Sequence, residues 1–279
     1  MKPLTLGFSP CPNDTYIFYA LTHHEIPLPN ISFTSEVLDD VETLNRWALE
    51  KRLDVTKLSF HALGHVLNDY VMLQAGAALG RGCGPLLVTR AGQDLEFSRS
   101  RIAIPGTYTT AALLLKLFAP TAHNLTVMRF EEIMPAVSAG QVDAGVIIHE
   151  SRFTFGDFGL QCVQDLGAWW EGETGLPIPL GCIAARRTFS GSTLKEIDTA
   201  VRESLIWANT NPDRCMEYIR SHAQEMGDSI LQSHIDLYVN DLSLTIGEEG
   251  MAAVDELFQR GRAVGIFTGS ERISWSPDR

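Results

Sequence analysis

Residues 42–59 read ETLNRWALEKRLDVTKLS, and the same order of signals returns over residues 131–150 as EEIMPAVSAGQVDAGVIIHE. In the first copy Leu44, Ala48 and Leu49 recur at helical spacing, and Asp54 then opens the strand-like run VTKLS. In the second a short amphipathic helix is followed by Asp143 and the strand AGVII. The leading Glu stands twelve residues before the Asp in both. One helix-then-strand unit is commonplace; two at matched spacing predict a duplicated α/β building block.

The correspondence extends outward. The strand TLGF leads through SPCPND into the helical run TYIFYAL, and the strand RIAI leads through PGTYT into TAALLLKLF. Each half therefore has a strand, a Pro-containing turn and a helix opened by capping residues, then the helix–Asp–strand unit. An α/β fold of two similar lobes is expected. The glycine-rich bend and strand GRGCGPLLVTRAG (80–92) makes the first crossing between them, and GLPIPLGCIAARR (175–187) the return. The expected lobes are residues 1–88 with 185–279, and residues 89–184. Three later segments, within 193–210, 214–226 and 247–264, read as helices that complete the first lobe, the last reaching across both.

The bulk numbers narrow the function. A formal charge of −12 over 279 residues argues against nucleic acid or an anionic membrane surface as a partner, since both reward clustered Lys and Arg. No apolar run approaches the roughly 18 residues of a membrane-spanning helix. MKPLTLGFSP is too short in apolar residues for a secretory segment, so a cytoplasmic protein is expected. Cysteines 11, 83, 162, 182 and 215 show no CxxC spacing, and reduced thiols are expected. The glycine-rich bend lacks the GKS or GKT ending of a phosphate loop.

Ligands of open α/β sheets bind beyond the carboxyl ends of the parallel strands, where loops and helix N-termini gather. Two lobes place both sets of ends on one cleft. Asn13 or Asp14 is expected to cap one helix there, and Thr107 to Thr110 to open the other. Free backbone N–H groups at such mouths suit a small-molecule carboxylate even in an acidic protein. Asp14 has the wrong sign for holding an anion and is expected to cap or to orient a hydroxyl. Ser59 and His149 fall at equivalent strand ends, and Lys57 shares the face of Ser59. The imidazole of His149 suits a general base at neutral pH; a hydrogen-bonded structural histidine is the plain alternative. His61 and His65 have helical i, i+4 spacing without a third ligand, so no metal is assigned to them. Ser59 lacks a GxSxG elbow, which favours a ligand hydrogen bond over acyl chemistry. Trp169 and Trp170 either cover a flat ring in the cleft or pack between the lobes, and packing is the favoured expectation.

FSPCPNDTYIFYAL, DVTKLSFHALGHV, GTYTTA, VDAGVIIHESRFTF and DLGAWWEGETGLPIPLG together resemble the 1,4-dihydroxy-6-naphthoate synthase family of the futalosine route to menaquinone. The resemblance covers most of residues 1 to 185 in order. It implies a fold like the type II periplasmic binding proteins, used as an enzyme with neither metal nor organic cofactor. It further implies cyclic dehypoxanthinyl futalosine as substrate, His149 as the base, and substrate contacts at Lys57, Leu58, Ser59, Thr109 and Thr110. Tyr16 departs from the phenylalanine expected in the family; the added hydroxyl could alter ligand contacts but hardly the reaction. A solute-binding protein for an organic anion, and the related chorismate dehydratase, remain the competing readings.

Overall fold

The computed structural model describes residues 2–223 and 227–268. The first half runs β1 (Lys2–Phe8), α1 (Pro12–Thr22), β2 (Ile31–Leu38), α2 (Val41–Leu49), β3 (Val55–Ser59), α3 (Phe60–Val66), β4 (Tyr70–Met72) and β5 (Ala78–Gly80). The second runs β6 (Leu86–Arg90), β7 (Ile102–Ile104), α4 (Thr110–Phe118), β8 (Leu125–Val127), α5 (Phe130–Ser138) and β9 (Ala144–Ile147). A short α6 (Ser151–Thr154), one 3₁₀ turn (Phe155–Phe158), β10 (Leu160–Asp165) and α7 (Leu166–Thr174) lead to β11 (Ile178–Arg186). Helices α8 (Gly191–Thr210), α9 (Pro212–His222), α10 (Asp228–Tyr238), α11 (Asp241–Leu244) and α12 (Gly247–Ala263) follow.

Two sheets result, in the orders β2-β1-β3-β11-β4, with β5 also on β11, and β10-β6-β9-β7-β8. Within them β2-β1-β3-β11 and β8-β7-β9-β6 are the same arrangement: three parallel strands, then one antiparallel. The repeated aspartates explain the common register. Asp54 accepts hydrogen bonds from the backbone N–H (2.9 Å) and hydroxyl (3.1 Å) of Thr5, while Asp143 accepts from the N–H of Arg101 at 2.7 Å. Each carboxylate so pins the start of the third strand to the first, and Leu6 pairs with Val55 as Ile102 pairs with Ala144.

The crossing strands belong to one sheet each: β6 to the second, β11 to the first. Sheet membership therefore changes just before Leu86 and just before Ile178, a few residues ahead of the boundaries expected at 88/89 and 184/185. The two connecting stretches lie side by side, since the Arg81 guanidinium donates to the Gly175 carbonyl at 3.0 Å and the Gly82 N–H to Glu171 at 2.7 Å.

Alternation of side chains divides the core. Leu4, Leu6, Phe8, Val71 and Ile183 face α1 and the helices after β11. Leu86, Val88, Ala103 and Ile147 face α5. The intervening Leu58, Met72, Leu87, Ile104, Val146, Cys182 and Ala184 meet Trp170, Phe258 and α4 in a third cluster common to both sheets. Burying such side chains contributes roughly 1.5 to 3 kcal/mol each. Trp170 is fully buried there and donates to the Pro177 carbonyl at 3.0 Å, and Trp169 packs edge-on against Phe118. Helix α12 packs on β11 and on α4, reaching across both lobes. Residues 214–226 form helix α9 only as far as His222, and 224–226 lie outside the described residues.

Candidate active site

Between the sheets lies a cavity of about 80 Å³, bordered by Asp14, Lys57, Leu58, Ser59, Thr109, Thr110 and His149. These seven residues, expected at the site from the sequence, thus meet in one place.

The turn SPCPND does not cap α1 as expected. Cys11 is the N-cap and contributes no side-chain bond; Pro12 fills the first helical position. The Asp14 carboxylate, 1% exposed, instead accepts from the Ser9 N–H (3.2 Å) and hydroxyl (2.7 Å), Asn13 Nδ2 (2.8 Å) and Lys57 Nζ (2.6 Å). Those four donors use its acceptor capacity. Asp14 therefore holds Lys57 in place, and the ion pair keeps a buried ammonium compensated.

Lys57 and Ser59 project from β3 on one face, and Leu58 between them is fully buried in the common core. Asn45 clasps Ser59 twice: its Oδ1 accepts from the Ser59 N–H at 2.9 Å and its Nδ2 donates to Oγ at 3.1 Å. This leaves the hydroxyl hydrogen of Ser59 for an acceptor in the cavity. Asn45 was missed in the sequence, although an amide on the Leu44–Ala48 stripe of α2 is itself a signal of a buried polar partner.

The mouth of α4 is partly filled by the protein. Thr109 is the N-cap, its hydroxyl accepting from the Ala112 N–H (3.2 Å) and donating to the Gly106 carbonyl (2.9 Å). Thr110 donates to the Leu180 carbonyl at 2.6 Å. The N–H groups of Thr107 and Tyr108, expected to await a ligand, are taken by the two oxygens of Glu42 at 2.9 and 3.0 Å. Gly106 makes room for that carboxylate, because a Cβ there would lie 2.3 Å from Glu42 Oε2. Glu42 is 6% exposed, and burial raises its pKa against the pull of those two bonds.

His149 ends the equivalent strand of the second sheet with φ at +59°, a left-handed conformation that costs a side-chain-bearing residue on the order of 1 to 2 kcal/mol. The bend turns its ring into the cavity, edge-on to Phe130 at 5.0 Å between centroids. Burial pushes its pKa down to about 4, opposed by Asp14 and reinforced by Lys57. The imidazole is neutral at pH 7 and has a lone pair to accept a proton.

Helix α10 supplies two residues that the sequence reading did not single out. His234 is fully buried, with Nε2 2.9 Å from Asn13 Oδ1 and its ring stacked 6.2 Å from that of His149. Tyr238 borders the cavity, and its hydroxyl makes no hydrogen bond among the described residues. The spacing of Leu231, Ile235 and Tyr238 was the available signal. His61 places Nδ1 3.1 Å from the Thr109 carbonyl and stays with α4 as a structural contact. The Tyr16 hydroxyl donates to Asn209 at 3.2 Å, and Tyr16 does not border the cavity.

Comparison with known proteins agrees with this geometry. A solved protein from Archaeoglobus fulgidus superposes with a TM-score of 0.89 at 37% identity, covering 95% of this chain and 98% of that one. The periplasmic aliphatic sulphonate binding protein of Escherichia coli (TM-score 0.66, 11% identity, 100% and 94% covered) shares the fold, which is that of the periplasmic binding proteins. A relative from Thermus thermophilus named 1,4-dihydroxy-6-naphtoate synthase is 50% identical over 274 residues, 98% of both chains. One of the same name from Streptomyces coelicolor is 43% identical over 269 residues, 94% of both. A family model described as menaquinone biosynthesis matches residues 4–263. From the cleft and these matches along nearly its whole length, the chain belongs to the menaquinone-biosynthesis family to which the two named synthases are related.

Proposed function

We propose that this protein is a carbon–carbon lyase that converts cyclic dehypoxanthinyl futalosine to 1,4-dihydroxy-6-naphthoate and a three-carbon fragment. The observation that carries the mechanism is His149: a neutral imidazole at the cavity wall, on backbone held in a conformation that ordinary packing does not favour. The imidazole removes a substrate hydroxyl proton, the oxygen lone pair closes to a carbonyl, and the neighbouring C–C bond breaks. The electrons of that bond enter the ring system, which becomes aromatic on loss of the fragment. Lys57, Ser59 and the α4 mouth at Thr109 and Thr110 hold the acidic end, and closure of the lobes excludes water. Five unpaired cysteines fit the proposed cytoplasmic setting.

Incubation with the substrate, with naphthoate product followed by absorbance, tests this. His149→Asn and His149→Ala are expected to lower kcat by about 10²- to 10⁴-fold while substrate still binds. Full rate in either variant refutes the base. Binding without turnover in the unmodified protein points to a solute-binding role, and turnover of chorismate to the dehydratase activity.

A further inference from the structure

We propose that Cys11, His149 and Glu150 form a binding site for a thiophilic divalent cation of the zinc class, bridging the cleft. Cys11 lies in the turn after β1, and His149 and Glu150 follow β9, so the two sheets contribute donors from opposite sides. A thiol sulfur, an imidazole nitrogen and a carboxylate oxygen of these residues all lie within 4.8 Å of one another. A tetrahedral ion with bonds of about 2.0 to 2.3 Å keeps its ligand atoms roughly 3.3 to 3.8 Å apart. Closing the set therefore takes up to about 1.0 to 1.5 Å of movement, which side-chain rotation supplies.

The donor chemistry is that of zinc-class ions: one soft thiolate, one imidazole and one carboxylate. Cys11 is 4% and Glu150 2% exposed, so the donors are held by their surroundings rather than by solvent. Among the described residues Lys57, a cation near the site, is ion-paired with Asp14. His149 borders the cavity, so the fourth position opens toward water or a ligand oxygen. On binding, the Cys11 thiol passes its proton to solvent as the sulfur–metal bond forms, and the imidazole and carboxylate donate lone pairs with no change of oxidation state. The cation holds the lobes together and occupies the imidazole lone pair, so it inhibits. That last consequence alone rests on the proposed function.

The test uses Cd²⁺ as probe on the full chain carrying Cys162→Ser, which silences the exposed thiol. Thiolate-to-metal charge-transfer absorption in the ultraviolet is expected to saturate at one equivalent and to be reversed by Zn²⁺ or chelator. Cys11→Ser should abolish it, and Glu150→Gln and His149→Asn should each weaken binding by at least about 10- to 100-fold. Absorption that persists in Cys11→Ser, or affinity unchanged in both other variants, overturns the site, and circular dichroism establishes that each variant is folded. Binding at this site without loss of turnover would sustain the cation site and refute His149 as the base.

Discussion

At the scale of single residues, the cavity separates side chains whose hydrogen-bonding capacity is spent from those whose capacity is open. Tyr238 is of the second kind, and Tyr238→Phe removes a hydroxyl that no described residue depends on. Its unfolding free energy should stay within about 0.5 kcal/mol of the parent, while KM or kcat for the proposed reaction changes by roughly tenfold; steady-state kinetics beside thermal unfolding separates the two. Asp14 is of the first kind. Asp14→Asn leaves the Lys57 ammonium without its carboxylate and should destabilise by about 3 to 5 kcal/mol. The double variant with Lys57→Met should lose less than the sum of the singles, as urea unfolding will measure. The place of His149 at the cavity wall was legible because its position at a repeated strand end could be counted. Asn45, Glu42 and His234 were not, because each acts through a partner at least 14 residues away in sequence, and spacing carries no sign of which partner that is.

Among the elements, α2 and the loop before α4 show how one carboxylate can join two halves of a protein. Glu42→Ala leaves the Thr107 and Tyr108 N–H groups without their acceptor, a loss of about 1 to 3 kcal/mol. Amide exchange confined to residues 106–110 should accelerate in that variant; unchanged exchange would show that the clasp contributes nothing. The β–turn–helix units were readable because strand, turn and helix signals are local in sequence. The start of α1 was misplaced for a related reason. Asn and Asp are the usual caps, but Pro12 at the first helical position moved the helix start forward and turned the Asp14 side chain toward Ser9 and Lys57. Helix α10 escaped notice because its apolar stripe is short and carries a histidine where an aliphatic residue would strengthen the pattern.

The molecule as a whole encloses three histidines in neutral form. Burial lowers the pKa of His149 to about 4, that of His61 to about 3 and that of His234 well below its ordinary value. Unfolded histidines titrate near 6.5. Below that pH the unfolded chain binds protons that the folded chain refuses, so stability complete above about pH 6.5 is lost as pH falls toward 4. The slope is roughly 1.4 kcal/mol per pH unit for each histidine. Thermal midpoints should therefore fall between pH 7.5 and 5, and His61→Gln should make the decline shallower; a midpoint level over that interval would contradict the burial. The duplicated sheet was written into the sequence by the twice-used Glu–Asp interval. The cluster common to both sheets was not, since its members come from strands far apart along the chain.

The paired connectors ahead of β6 and β11 set how such a body can deform. The Arg81 guanidinium donates to the Gly175 carbonyl across them, so the chain passes between the sheets twice at one place, as a door is hung on adjacent pins. If the two sheets part about those connectors, the cavity opens at the rim opposite them.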